Sequence, residues 1–150
     1  MIDELDRKIL RVLQSDSDLS TEKIAEKVNS SKSPVWSRIR RLKERGYIQR
    51  EVAILDADQL GQAEVFFVSI KTDSHEAGWL QKFSDAVQTM DEIQEAHRLA
   101  GETDYMLKVR VRDTREFDRF YKDLVSRIGI FSVTSSLSME TLKSTTEIRL

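Results

Sequence analysis

The chain has 150 residues, with 24 Lys and Arg against 26 Asp and Glu, and no cysteine. That length makes one domain or two small ones, and 39% hydrophobic content suffices for a packed core. The absence of cysteine excludes a disulfide framework, a thiolate metal site and a thiol nucleophile. No apolar run approaches the roughly 20 residues needed to span a membrane.

The opening Met-Ile-Asp-Glu-Leu-Asp is acidic and amphipathic, unlike a signal peptide, so a cytoplasmic protein is expected. Leu5, Ile9, Val12 and Leu13 recur at helical spacing and predict a first helix over about residues 3–15. Ser20 reads as the N-cap of a second helix with Ile24, Ala25 and Val28 inward, ending near Asn29. Ser33 before Pro34 reads as the start of a third helix, because Ser caps free N–H groups and Pro needs none at the first position. That helix runs to about Arg45, with Val35, Ile39 and Leu42 inward, and Gly46 ends it. Tyr47-Ile48 and Val52-Ala53-Ile54-Leu55 read as two short strands. Three helices and a small hairpin make a winged helix-turn-helix over residues 1–55.

Residues 56–62 read as a short hinge, and residues 63–150 as a second domain. Glu64 to Thr72 is a strand, and Trp79, Phe83, Ala86, Val87 and Met90 space a helix. Ile93 to Ala100 reads as a strand. Tyr105, Leu107, Val109 and Val111 alternate with Met106, Lys108, Arg110 and Arg112, a half-buried strand. Phe117, Phe120, Tyr121, Leu124, Val125 and Ile128 give a further helix, and Val133, Ser135, Leu137 and Met139 a last strand. The order βαββαβ predicts an α+β, ferredoxin-like domain with both helices on one face of the sheet. Phe66, Val68 and Ile70 lie on one face of the first strand, Val65 and Phe67 on the other. With both faces apolar, the open face is expected to pack on a second subunit.

Charge divides unevenly along the chain. Residues 1–52 carry 12 basic and 9 acidic residues, and residues 53–150 carry 12 and 17. Within residues 30–50, Lys32, Arg38, Arg40, Arg41, Lys43, Arg45 and Arg50 face one acid, Glu44. A basic helix with polar first turns, following another short helix, suits a DNA major groove. Ser31 is a further DNA-binding candidate, and Ser33, Pro34, Trp36, Ser37 and Arg38 lie where such a helix enters deepest, with Ser37 and Arg38 expected at base edges. Lys32, Arg40, Arg41 and Arg50 are expected on phosphates, which position the protein without reading sequence. Trp36 fits either the sugar-phosphate wall or the core against the first helix. A bland alternative makes the whole run a solvated helix face.

Several stretches together resemble the Lrp/AsnC (leucine-responsive, feast/famine) transcription regulators. Leu5-Asp6-Arg7-Lys8-Ile9-Leu10-Arg11-Val12-Leu13-Gln14 is similar to the family's opening helix, and Ser31 through Leu42 to its recognition helix. Gly46-Tyr47-Ile48 and Ala53-Ile54-Leu55-Asp56 resemble its wing and hinge entry, and Ala100 through Leu107 its Gly-x-x-Asp-Tyr loop. Thr134-Ser135-Ser136 through Met139-Glu140 and Lys143 resembles its last strand. Ser30 departs from the family's usual Leu, and Val35 from its common Cys. Trp36 and Trp79 resemble the subgroup tied to sulfur or branched amino-acid catabolism, which includes a cysteine-responsive member.

The resemblance implies a DNA-binding regulator, a homodimer assembling to an octamer, with cysteine, leucine or a related amino acid bound between dimers. It implies that Gly101, Glu102, Thr103, Asp104 and Tyr105 line the effector pocket. A zwitterion needs an acceptor for its ammonium, which Asp104 can supply. Its carboxylate needs donors, which loop N–H groups and Thr134, Ser135 or Ser136 can supply. Gly and Asp also serve a plain hairpin turn there. No catalytic constellation, phosphate loop or dinucleotide fingerprint appears, and no enzyme activity, metal or cofactor is expected beyond the amino-acid effector. The two histidines, His75 and His97, form no metal set with neighbouring residues. The rival readings are a small enzyme on a ferredoxin-like fold and an amino-acid-sensing interaction protein without DNA binding.

Overall fold

The computed structural model describes residues 1–73, 77–130 and 132–150, so His75 lies outside the described residues. The chain divides into two compact units: Met1–Ile54 with Lys143–Leu150, and Leu55–Leu142.

The first unit holds α1 (Glu4–Ser15), α2 (Thr21–Lys27) and α3 (Lys32–Glu44). Helix α1 starts at a capping box in which Asp6 N–H donates to Asp3 Oδ1 at 2.9 Å and Asp3 N–H donates to Asp6 Oδ2 at 3.1 Å. Ser20 Oγ accepts from Lys23 N–H and caps α2. Helix α2 then stops in a left-handed residue, Asn29 (φ 53°), with Ser30 N–H donating to Ala25 O at 2.9 Å and Asn29 N–H to Glu26 O at 3.2 Å. Helix α3 stops the same way at Gly46 (φ 74°), with Tyr47 N–H on Leu42 O and Gly46 N–H on Lys43 O. Ile9, Ile24, Ala25, Val28, Val35 and Leu42 form the core, with Leu5, Val12, Leu13 and Ile39 packed around it. The segment Lys143–Leu150 joins this unit by returning to α1. Gln14 Nε2 donates to Ile148 O at 3.0 Å, Ile148 N–H donates to Gln14 Oε1 at 3.1 Å, and Arg11 Nη2 donates to Leu150 O at 3.1 Å.

Two local expectations are corrected here. Helix α3 begins at Lys32, ahead of Pro34, with Ser31 at the N-cap. Proline is tolerated there because the first four N–H groups of a helix have no intrahelical acceptor. The strands expected at Tyr47-Ile48 and Val52–Leu55 do not form. The N–H groups of Tyr47 and Ile48 both turn back to Leu42 O, and Val52, Ile54 and Leu55 stand 61%, 78% and 69% exposed with no partner strand.

The second unit opens with a single turn at residues 57–61, closed by Gln62 N–H on Ala57 O and by Gly61 (φ 70°). Then come β1 (Glu64–Lys71), α4 (Ala77–Thr89), β2 (Ile93–Arg98), β3 (Tyr105–Val111), α5 (Thr114–Arg127) and β4 (Ser132–Leu137). The sheet is antiparallel in the order β2-β3-β1-β4, which is the expected βαββαβ arrangement. Phe66, Val68 and Ile70 of β1 and Tyr105, Leu107, Val109 and Val111 of β3 pack with Phe83, Ala86 and Met90 of α4 and Phe120, Leu124 and Ile128 of α5. Phe66 stacks on Phe117 with ring centroids 3.8 Å apart. The register pairs Phe67 with Lys108 and Ser136, and Ser69 with Met106 and Thr134, so these residues share the opposite face. That face is mixed rather than apolar. Phe67 and Met106 sit among hydroxyls and the Glu95–Lys108 ion pair at 3.0 Å.

Candidate nucleic-acid interface and effector loop

Helix α3 presents Lys32, Ser33, Trp36 and Ser37 around a shallow groove of about 510 Å³. Residues three or four apart share a helix face, so Arg40 continues this row one turn beyond Trp36. Trp36 is 54% exposed; the indole does not join the core, one of the two placements its sequence context allowed. The Arg40 guanidinium lies 5.8 Å from the Trp36 ring centroid, and Arg40 Nε donates to Glu44 Oε1 at 2.8 Å. Lys32 pairs with Glu22 of α2, and Lys43 with Glu51 at 2.9 Å. Arg45 and Arg50 have no ion pair among the described residues. Ser31 makes no side-chain cap bond, which leaves the first N–H groups of α3 without a side-chain acceptor. Such a helix start favours anions.

Arg38 and Arg41 face elsewhere. Arg38 Nη1 donates to Asp3 Oδ2 at 2.5 Å and to Asp6 Oδ1 at 2.9 Å, and Arg41 Nη2 donates to Asp6 Oδ2 at 2.8 Å. The Asp6 side chain is 1% exposed and the Arg38 side chain 25%. The guanidinium of Arg38, expected at base edges, is thus folded onto the first turn of α1. Its hydrogen bonds, and then the Asp6 N–H, hold the Asp3 carboxyl down at about 2, and the two carboxylates raise Arg38 above its ordinary value. The sequence reading missed Asp3 and Asp6 as partners. A signal was present, since Asp6, Ile9 and Leu13 lie on one helical stripe, so the first of them had to be buried and paired.

In the second unit the expected effector residues divide. Gly101 (φ 152°) and Glu102, Thr103 and Asp104 join β2 to β3. Asp104 is anchored there: its Oδ2 accepts from Thr72 N–H at 2.9 Å, its N–H donates to Ile70 O, and its O accepts from Leu99 N–H. Lys71 Nζ reaches Glu102 Oε1 at 3.2 Å. The loop therefore sits at the end of β1 where β4 begins, with Thr134 opposite Ser69 and Ser132 opposite Lys71. Thr134 and Ser136 are exposed on the open face. Ser135, opposite Val68, points to the other side of the sheet. The Tyr105 ring is buried against Phe83, centroids 4.4 Å apart, so it belongs to the core side of this loop. His97, exposed on β2, lies 3.2 Å from Glu95 Oε2.

Known proteins share this arrangement along the whole chain. Residues 2–49 match the winged helix-turn-helix DNA-binding model, and residues 65–148 match the Lrp/AsnC ligand binding domain. The chain belongs to the Lrp/AsnC family. It is a DNA-binding transcription regulator of that type, joining a DNA-binding unit to the family's ligand-binding domain. It is 42% identical to the DNA-binding transcriptional activator DecR of Escherichia coli K12 over 149 residues, 99% of this chain and 98% of that one. An AsnC family regulator from Agrobacterium tumefaciens superposes with a TM-score of 0.95 at 44% identity, over 99% of this chain and 97% of the other. A Neisseria meningitidis regulator solved in complex with L-Met superposes equally well, at 0.95 and 28% identity, over 99% and 97% of the two chains. Among the described residues, no helix of this Lrp/AsnC regulator is long and apolar enough to cross a membrane.

Proposed function

We propose that this cytoplasmic regulator reads duplex DNA with the outer row of α3 and answers to an amino acid held at the 101–104 loop. The observation that carries the first half is the exposed groove of Lys32, Ser33, Trp36 and Ser37, with Arg40 exposed beside Trp36. Ser33, Trp36 and Ser37 meet base edges. Lys32, Arg40 and Arg50 bind phosphates, together with the uncapped start of α3 at Ser31. Pro34 shapes that first turn. Arg38 and Arg41 act one step back, by fixing α3 on α1 through Asp6.

The effector reading rests on Gly101, Glu102, Thr103 and Asp104, with Thr134 and Ser136 on the same side of the sheet. Tyr105 and Ser135 serve the loop and the strand rather than the ligand. The relative bound to L-Met, together with the Trp36 and Trp79 likeness, favours a sulfur amino acid over leucine. The chain works as a homodimer, with assembly to an octamer as the family resemblance implies. Exposed Leu137 and Phe67 on the sheet and Val52, Ile54 and Leu55 before it support association. A ligand seated between dimers shifts assembly only by its difference in affinity for the two forms.

The test is calorimetric titration with a panel of amino acids, alongside light scattering at micromolar concentration. Binding of Met or Cys with a change in particle mass is expected. A monomer indifferent to every amino acid would overturn the effector half and leave the DNA half standing.

A further inference from the structure

Trp36 is the one large hydrophobic side chain that α3 exposes. An indole on a basic, polar helix face offers that face one large apolar contact surface. The floor of the DNA major groove offers hydrogen-bond donors, acceptors and a single apolar group, the thymine 5-methyl. Lys32 and Arg40 stand one turn before and one turn after Trp36 on the same face. Their partners, Glu22 and Glu44, are themselves more than half exposed, so these pairs are weak and exchange readily for phosphates. Arg40 lies over the ring, its guanidinium 5.8 Å from the centroid. Ser33 and Ser37 line the same groove with hydroxyls, which suit the polar edge beside a methyl group.

We infer that Trp36 is a specificity-determining residue, its indole seating a thymine methyl in the groove with Lys32, Ser33 and Ser37 and so selecting a T·A pair at that position. The inference rests on α3 being the DNA-reading helix.

The experiment uses the full-length protein and a duplex recovered by its own selection from random DNA. Each thymine is replaced in turn by deoxyuridine, which removes the methyl and leaves the pairing and hydrogen-bonding edges intact. Wild type should lose about three- to fivefold in affinity at one thymine per half-site, the value of one buried methyl. Trp36→Ala should bind the thymine and deoxyuridine duplexes alike, and Trp36→Leu should keep part of the difference. Because part of the indole is buried, thermal unfolding of the Ala variant is measured alongside, and the thymine and deoxyuridine duplexes are compared within each variant at a temperature where it is folded. Two results would overturn the inference: no thymine that matters, or an unchanged deoxyuridine penalty in Trp36→Ala. A loss in Trp36→Ala that is equal on every sequence would also overturn it, in favour of packing on the sugar-phosphate wall. Failure of the underlying reading looks different. Selection would then enrich no sequence, and Arg40→Ala would leave binding to random DNA unchanged.

Discussion

Arg38 of α3 and Asp6 of α1 are joined by a 2.9 Å ion pair in which the carboxylate is buried and the guanidinium one quarter exposed. Asp6 thereby serves two structures at once, the start of α1 and the seat of α3. Asp6→Ala should destabilise the protein by about 1.5–3 kcal/mol, the range for hydrogen bonds to charged groups, seen as a lower urea midpoint. Arg38→Ala should weaken binding to selected and random DNA by the same factor, because it loosens the helix rather than removing a base contact. Loss confined to the selected site would return Arg38 to base reading.

Asp3 gives that same joint a pH dependence. Its carboxyl sits at about 2 because Arg38 donates to it, so the ionised form is favoured by folding. The contribution is whole above the ordinary Asp value of about 4 and disappears as pH falls through the folded value near 2. The stability gap between wild type and Asp3→Asn should therefore close between pH 4 and pH 2. A gap that stayed constant across that range, in thermal unfolding, would mean that Arg38 does not engage Asp3 in solution.

The turn before α3 and the turn after it both depend on a left-handed residue. Gly46 has φ 74° and open space where a Cβ would lie, so Gly46→Ala meets backbone strain alone and should cost about 1–2 kcal/mol. Asn29→Gly should be nearly neutral, since glycine adopts φ 53° without penalty. Urea unfolding of the two variants checks the pair, and a neutral Gly46→Ala would contradict the geometry.

Asp104 separates ligand response from DNA binding. Its carboxylate takes the Thr72 N–H, at the sheet end where the effector is proposed to sit. Asp104→Ala should abolish the heat of amino-acid binding and keep affinity for random DNA. Asp104→Asn retains an acceptor for Thr72 and should preserve the loop while losing the attraction for an ammonium. Unchanged calorimetry in both variants would remove Asp104 from the site.

Periodic residues made most of this fold readable. The stripe of α2 and the alternation of β3 are local patterns, and Ile24, Ala25, Val28, Tyr105, Leu107, Val109 and Val111 are all buried, whereas of the α1 stripe Ile9 is buried and Leu5, Val12 and Leu13 only border the core. What escaped depends on partners distant in sequence. Arg38 looks like a groove-facing cation until Asp3 and Asp6, 35 and 32 residues away, are seen to hold it. The residues 143–150 carry no periodic pattern, and they find α1 through main-chain groups of Ile148 and Leu150, which any sequence possesses. Tyr47-Ile48 has strand-forming residues, yet the Gly46 stop commits their N–H groups to Leu42. At the effector loop the residue types were legible but not their directions. Adjacent strand residues point to opposite faces, which parts Ser135 from Thr134 and Ser136, and the register with β1 then decides which side meets the loop.

The most direct test is DNA binding at two salt concentrations by wild type and Arg40→Ala, using the region upstream of the protein's own gene against random duplex. The account predicts tight binding by wild type that weakens steeply with salt, and a shallower salt slope, by about one ion, for Arg40→Ala. Equal slopes with equal affinities for the two proteins would contradict the placement of the outer row of α3 on DNA.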